Sequence, residues 1–144
     1  GLFSTALDLA KIGQMLLNGG TYGGERFIKQ TTIDFFTKAS FTDRDNRRGI
    51  GFDKPEYRIN KISPAFWGIP LESFGHSGFT GTYLWMDPES GILFVFLSNR
   101  INPSADNKKL ITQDIRTRIH KIFYESIKPI TYHASKMDSE EQVN

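Results

Sequence analysis

Two different periods organise the apolar residues of this chain. Leu7, Ala10, Ile12, Leu16 and Leu17 recur near helical spacing, which predicts a helix over residues 5–18. Ser4 or Thr5 suits its N-cap, Asp8 complements the helix dipole in the first turn, and Asn18-Gly19-Gly20 supplies the stop. A second short helix is expected over residues 31–37, with Ile33, Phe35 and Phe36 as its apolar side. Near the other end, Leu110, Ile111, Ile115, Ile119, Ile122 and Phe123 fall on one broad face of a long helix over residues 107–124.

The middle of the chain follows the shorter period. Residues 48–53, RGIGFD, are short and apolar with glycines and predict a strand or its edge. Residues 54–72 hold Pro55, Pro64 and Pro70 without a clear period, and a loop with at most one irregular strand is expected. Residues 74–78 and 80–86 predict two strands, and 87–91, DPESG, carry Pro and Gly where a hairpin turn needs them. ILFVFL at 92–97 has no polar side, which predicts a central strand covered on both faces. Short links between neighbouring strands imply an antiparallel sheet. The fold class is therefore α+β, an antiparallel sheet flanked by helices, over residues 1–132 with a flexible polar tail at 133–144. The C-terminal helix covers only one face of ILFVFL, so the first helix, or segments outside this chain, must cover the other.

Composition narrows the function classes. With 38% hydrophobic residues, 144 residues suffice for one domain with a real core. The 18 basic and 16 acidic residues are interspersed, so nothing suggests a nucleic-acid footprint. Arg44, Arg47 and Arg48 form the one dense basic patch, interleaved by Asp43 and Asp45, and read as a solvated loop. The absence of cysteine excludes a disulfide scaffold, a zinc-thiolate site and a cysteine nucleophile. No apolar run is long enough to span a bilayer.

The chemistry concentrates in residues 74–85, FGHSGFTGTYLW. His76 and Ser77 are neighbours on a strand, so their side chains point to opposite faces and cannot readily form a base–nucleophile pair. His120 sits in the C-terminal helix and His133 near the chain end, and neither completes a triad. Two readings remain from local chemistry. In one, the segment is a wall of a site: Gly78 admits close approach, Ser77 offers a hydroxyl, His76 a hydrogen bond or partial charge, and the Phe79 N–H an oxyanion donor. In the other, Gly75, Gly78 and Gly81 merely relieve crowding in a twisted edge strand. Tyr83 and Trp85 read as packing or pocket rim, Asp87 as a turn residue, Asn99 as a local backbone partner and Arg100 as a surface residue.

GLFSTALDLAKIGQMLLNGG, YGGERFI, RGIGFD and FGHSGFTGTYLWMDPESGILFVFLSNR, in that order, resemble the C-terminal part of the serine β-lactamase-like superfamily. The likeness is to its class C, esterase and D-alanyl-D-alanine carboxypeptidase branch, and it covers roughly residues 1–125. That family places its nucleophilic Ser and general-base Lys in Ser-x-x-Lys, followed by Tyr-x-Asn or Ser-x-Asn. Its third motif, Lys-Thr-Gly, becomes His-Ser-Gly or His-Thr-Gly in many members of this branch. His76-Ser77-Gly78 matches the third motif, and the resemblance then makes the Phe79 N–H one donor of the oxyanion hole. The first two motifs are missing: Asp8, not Ser, stands three residues before Lys11, and Tyr22-Gly23-Gly24 and Tyr57-Arg58-Ile59 lack the Asn.

The resemblance implies a C-terminal portion of a serine hydrolase whose nucleophile lies upstream of Gly1, inactive alone. It would form an acyl-enzyme with an ester, β-lactam or D-Ala peptide. No metal or organic cofactor is implied. The implied partners are a small-molecule or peptide substrate and the upstream half of the same protein, with self-association of the segment alone. The implied location is the periplasm, the membrane surface or the exterior of a bacterium. The alternative is a non-catalytic domain whose glycine-rich strand binds a peptide or another ligand.

Overall fold

The computed structural model describes residues 2–58 and 60–127. Thr5 caps the first helix, α1 (Ala6–Leu17): its Oγ1 accepts from the Asp8 N–H at 3.2 Å and donates to the Asp8 carboxylate at 2.9 Å. Lys11, 2.9 Å from that carboxylate, and then Thr5 hold the Asp8 pKa below its ordinary value. At the other end the Gly20 N–H reaches the Met15 carbonyl at 2.8 Å. Gly20 has φ +88, and a Cβ there would lie 1.9 Å from the Ile28 carbonyl oxygen, so only glycine fits. A small hairpin, β1 (Thr21–Tyr22) and β2 (Glu25–Arg26), leads into α2 (Gln30–Thr37).

The main sheet is antiparallel, in the order β3 (Phe74–Ser77), β4 (Tyr83–Asp87), β5 (Ile92–Phe96). Pairs Phe74↔Met86 and Met86↔Leu93 put one alternate set of side chains on the face that packs with Leu16 of α1 and Ile33 of α2. The other set, Tyr83, Trp85 and Phe94, packs against Tyr124 of a C-terminal helix and against Ala65, Phe66 and Ile69. Those three come from residues 54–72, whose described residues form no strand yet supply core. The architecture is α+β, with helices on both faces of an antiparallel sheet.

Several expectations are corrected. The ILFVFL strand is covered on both faces but is not central: β4 is, and among the described residues β5 pairs only with β4. Residues 48–53 make no strand. Gly51 turns at φ +79, and only Asp53 pairs, in a single bridge to Gly75. The arginine patch is not simply a solvated loop, because Asp53 is buried and a buried carboxylate needs partners. Arg47 supplies one at 2.8 Å and Arg48 another at 3.2 Å. In α2 the buried apolar residue is Ile33, whereas Phe35 and Phe36 are 63% and 40% exposed.

The expected helix over 107–124 is two helices, α3 (Lys109–Thr112) and α4 (Ile115–Ile127). Asp114 separates them at φ +49, a conformation that Asp tolerates better than most residues. The buried side of α4 is also not the isoleucine stripe. His120 and Tyr124 are buried, and Ile122 is 67% exposed. The aromatic face of the sheet selects ring partners: His120 stacks on Phe94 at 4.5 Å, and Phe66 meets both His120 and Tyr124 edge-on or tilted. The expected tail at 133–144 and domain end at 132 lie outside the described residues.

Candidate functional site

The site is built on the outer edge of β3. Gly75 makes a reciprocal bridge with Asp53, with N···O distances of 2.7 and 3.0 Å, so the edge is covered at its start. A Cβ on Gly75 would lie 2.2 Å from the Leu84 carbonyl and 2.4 Å from the Trp85 ring, which explains the glycine. Gly78 donates to the Thr82 carbonyl at 2.8 Å, on the inner side of the strand. Alternation along an antiparallel ladder then turns the backbone groups of Ser77 outward, to an edge that no strand covers among the described residues.

Residues 78–81 close a turn, with the Gly81 N–H donating to the Gly78 carbonyl at 3.0 Å. Gly81 adopts φ +101, and a Cβ there would meet Ser98 Oγ at 2.3 Å and Leu110 at 2.4 Å. The Phe79 N–H has no protein acceptor among the described residues, and its ring is 71% exposed.

His76 and Ser77 diverge, as a strand requires. His76 is exposed on the α1 side, with Nδ1 2.9 Å from the Ser77 carbonyl oxygen. A carbonyl only accepts, so Nδ1 carries the proton of that hydrogen bond, and Nε2 lies on the opposite side of the ring. Ser77 lies on the α4 side, where it lines a cavity of about 220 Å³ with Arg47, Asp53, Ser63, Arg116 and Thr117. Arg116 donates to the Thr82 carbonyl at 3.3 Å and lies 5.8 Å from the Tyr83 ring centroid. Burial lowers its pKa from the ordinary arginine value, and the same burial raises that of the Tyr83 phenol. A cleft with a hydroxyl, two guanidiniums offset by the carboxylates of Asp53 and Asp114, and an open strand edge can receive an extended, carbonyl-bearing ligand.

The other candidates are structural. Trp85 donates from Nε1 to Ser73 Oγ at 3.0 Å and stacks on Tyr83 at 5.5 Å. Asp87 accepts from the Glu89 N–H at 2.9 Å and from the hydroxyls of Ser90 and Tyr124, so the turn residue also ties the hairpin to α4. His120 holds the Tyr83 hydroxyl at 3.2 Å inside the core. Asn99 accepts the Asn102 N–H at 3.3 Å through its backbone carbonyl. Among the described residues, no three His, Asp or Glu side chains gather as metal ligands, and no helix is long and apolar enough to cross a membrane.

Sequence reasoning missed Asp53, Arg47 and Arg116, and read Arg100 as a surface residue. Arg100 donates from Nε to the Phe79 carbonyl at 2.8 Å. Its position just after the strand that closes on Ser98-Asn99 was the available signal. Arg47 and Asp53 carried none, because their partnership follows from a loop path that no period encodes.

Relatives in Salmonella paratyphi B (strain ATCC BAA-1250 / SPB7), Salmonella newport (strain SL254) and Salmonella heidelberg (strain SL476) carry the name "Putative D-alanyl-D-alanine carboxypeptidase". Each is 33% identical over 114 residues, covering 76% of this chain and 25% of the relative. The chain thus matches about a quarter of the length of these relatives. The family model described as Beta-lactamase matches residues 1–117. With most of its length matched, the chain belongs to the beta-lactamase family, within the serine β-lactamase and penicillin-binding-protein-like superfamily.

Proposed function

We propose that this chain forms the substrate-binding wall of a serine hydrolase that works through an acyl-enzyme. The observation that carries this reading is the Phe79 N–H, without a protein acceptor among the described residues, at the end of a strand edge that they leave open beside Ser77. An acyl carbonyl lying along β3 develops negative charge on oxygen as a nucleophile attacks, and a preset N–H stabilises that charge. Gly78 carries no side chain, and a Cβ there would lie 2.2 Å from Thr82 Oγ1. The Ser77 hydroxyl donates to a carboxylate or carbonyl of the substrate, with Arg47 and Arg116 lining the same cavity. His76 presents Nε2 on the other side.

The nucleophile is assigned outside these 144 residues, since they contain no Ser-x-x-Lys. The substrate is an ester, β-lactam or D-alanyl peptide; the relatives' name supports the last. The upstream half of the same protein is the assigned partner of the open β5 edge and the exposed side of α1.

Intact-mass analysis of the full-length protein after incubation with a fluorophosphonate, and separately with benzylpenicillin, tests the reading. A stoichiometric adduct on a serine upstream of Gly1 is expected, and none on the 144-residue chain alone. Ser77→Ala in the full-length protein keeps the adduct but raises KM about tenfold, the cost of one lost substrate hydrogen bond. An adduct on Ser77, or no adduct on the full-length protein, overturns the assignment.

A further inference from the structure

An oxyanion donor stabilises charge only if it is already in place when the charge develops, because reorganisation at that moment cancels the benefit. Phe79 is poorly provided for by packing, being mostly exposed and in a turn. Hydrogen bonds hold it instead, and most of them run to one residue. Arg100 donates from Nε to the Phe79 carbonyl at 2.8 Å and from Nη1 to the carbonyls of Ala105 and Asn107 at 3.1 Å each. Its backbone N–H donates to the Thr80 carbonyl at 2.9 Å. Its guanidinium carbon lies 4.5 Å from the Phe79 ring centroid, a cation–π contact that immobilises the side chain as well.

The carbonyls of Gly78, Phe79 and Thr80 are thus all bound from within the molecule, the first by Gly81 and the next two by Arg100. Among the described residues the N–H between the first two, that of Phe79, has no protein acceptor. Holding the carbonyl of the Gly78–Phe79 peptide and the following peptide plane leaves that N–H one direction, away from the turn. The anchor is itself fixed, since the same guanidinium grips the 105–107 loop.

We propose that Arg100 is a positioning residue that presets the Phe79 N–H as the oxyanion donor, a role that rests on the acyl-transfer reading above. Arginine is needed because one planar fork must serve carbonyls of two separate segments. Lysine offers a single compact charge, which can reach one of them but cannot hold both.

The test compares the full-length protein with its Arg100→Ala and Arg100→Lys variants, counting competent sites by fluorophosphonate adduct and normalising every rate to that count. Acylation by p-nitrophenyl butyrate and inhibition by phenylboronic acid, whose tetrahedral adduct places an oxygen in the oxyanion hole, are measured on each. Arg100→Ala is expected to lower the per-site acylation kcat at least tenfold with KM within about twofold, and to weaken the boronate in parallel. Arg100→Lys is expected to fall between, so the proposal does not hang on the folding of the alanine variant. Unchanged per-site kcat and boronate affinity in either variant, with only fewer competent sites, would overturn it as a purely structural contact. A wild-type protein that forms no adduct at all would instead overturn the acyl-transfer reading itself.

Discussion

His120 shows how burial converts a titratable side chain into a core residue. It is 1% exposed, stacked on Phe94, and burial pushes its pKa down to about 3, against a smaller upward pull from Asp87. The ring is therefore neutral, and its Nδ1 shares one hydrogen bond with the buried Tyr83 hydroxyl. The unfolded chain takes up a proton near the ordinary value of 6.5, whereas the folded one does not until about 3. Stability is accordingly full above about pH 6.5 and declines as pH falls toward 3, by at most about 1.4 kcal/mol per pH unit. Urea midpoints between pH 7.5 and pH 5 are expected to fall further for the natural chain than for His120→Gln, whose amide can still hydrogen-bond the Tyr83 hydroxyl. Equal falls in both would remove His120 as the cause. At Asp87, Tyr124→Phe deletes a hydroxyl donor to a buried carboxylate, and a loss of about 1.5–3 kcal/mol is expected by chemical denaturation.

At the scale of elements, glycines tell packing apart from flexibility. Gly75→Ala would drive a methyl into the Leu84 carbonyl and the Trp85 ring, neither of which can yield. Gly13→Ala would meet only the end of the Leu93 side chain, 2.4 Å from its Cδ1, which yields more easily than backbone or a ring, and gains up to about 1 kcal/mol of helix propensity. Gly75→Ala is thus expected to cost about 1–3 kcal/mol or more and Gly13→Ala much less, read from paired thermal and urea melts. Comparable losses at both would mean that β3 shifts more easily than the register suggests. The elements that could be read from the sequence were those with strong local signals: α1 with its cap and glycine stop, the Asp87–Gly91 turn, and the apolar β5. Those misread lacked them. Asp114 interrupts a helical pattern at a single left-handed residue, and residues 48–53 look like a strand yet spend their backbone hydrogen bonds on a turn, on Phe36 and Ser40, and on one bridge.

At the scale of the whole molecule, the chain leaves large apolar side chains on its surface. Leu7 and Ile12 of α1 are exposed, as are Ile119 and Ile122 of α4, and β5 has no strand on its outer side among the described residues. An open edge and apolar faces together favour association. Sedimentation of the 144-residue chain is expected to show concentration-dependent self-association, relieved by Leu7→Lys with Ile12→Lys and by adding the upstream region as a separate polypeptide. A compact monomer at all concentrations would show that these faces need no cover.

What the sequence by itself determined was the α+β class, the hairpin β4–β5, both covering helices in outline, and the short segment His76–Phe79 on which the proposed chemistry rests. Each follows from local physics: period, capping, turn residues and the strand rule that parts neighbouring side chains. What only the tertiary structure decided was which side of each helix is buried, that Asp53 with Arg47 and Arg48 guards the start of the β3 edge, and that Arg100 reaches back to Phe79. Those contacts join residues far apart along the chain. Their geometry depends on loop paths and on which surfaces happen to meet, and neither leaves a periodic trace in the order of amino acids.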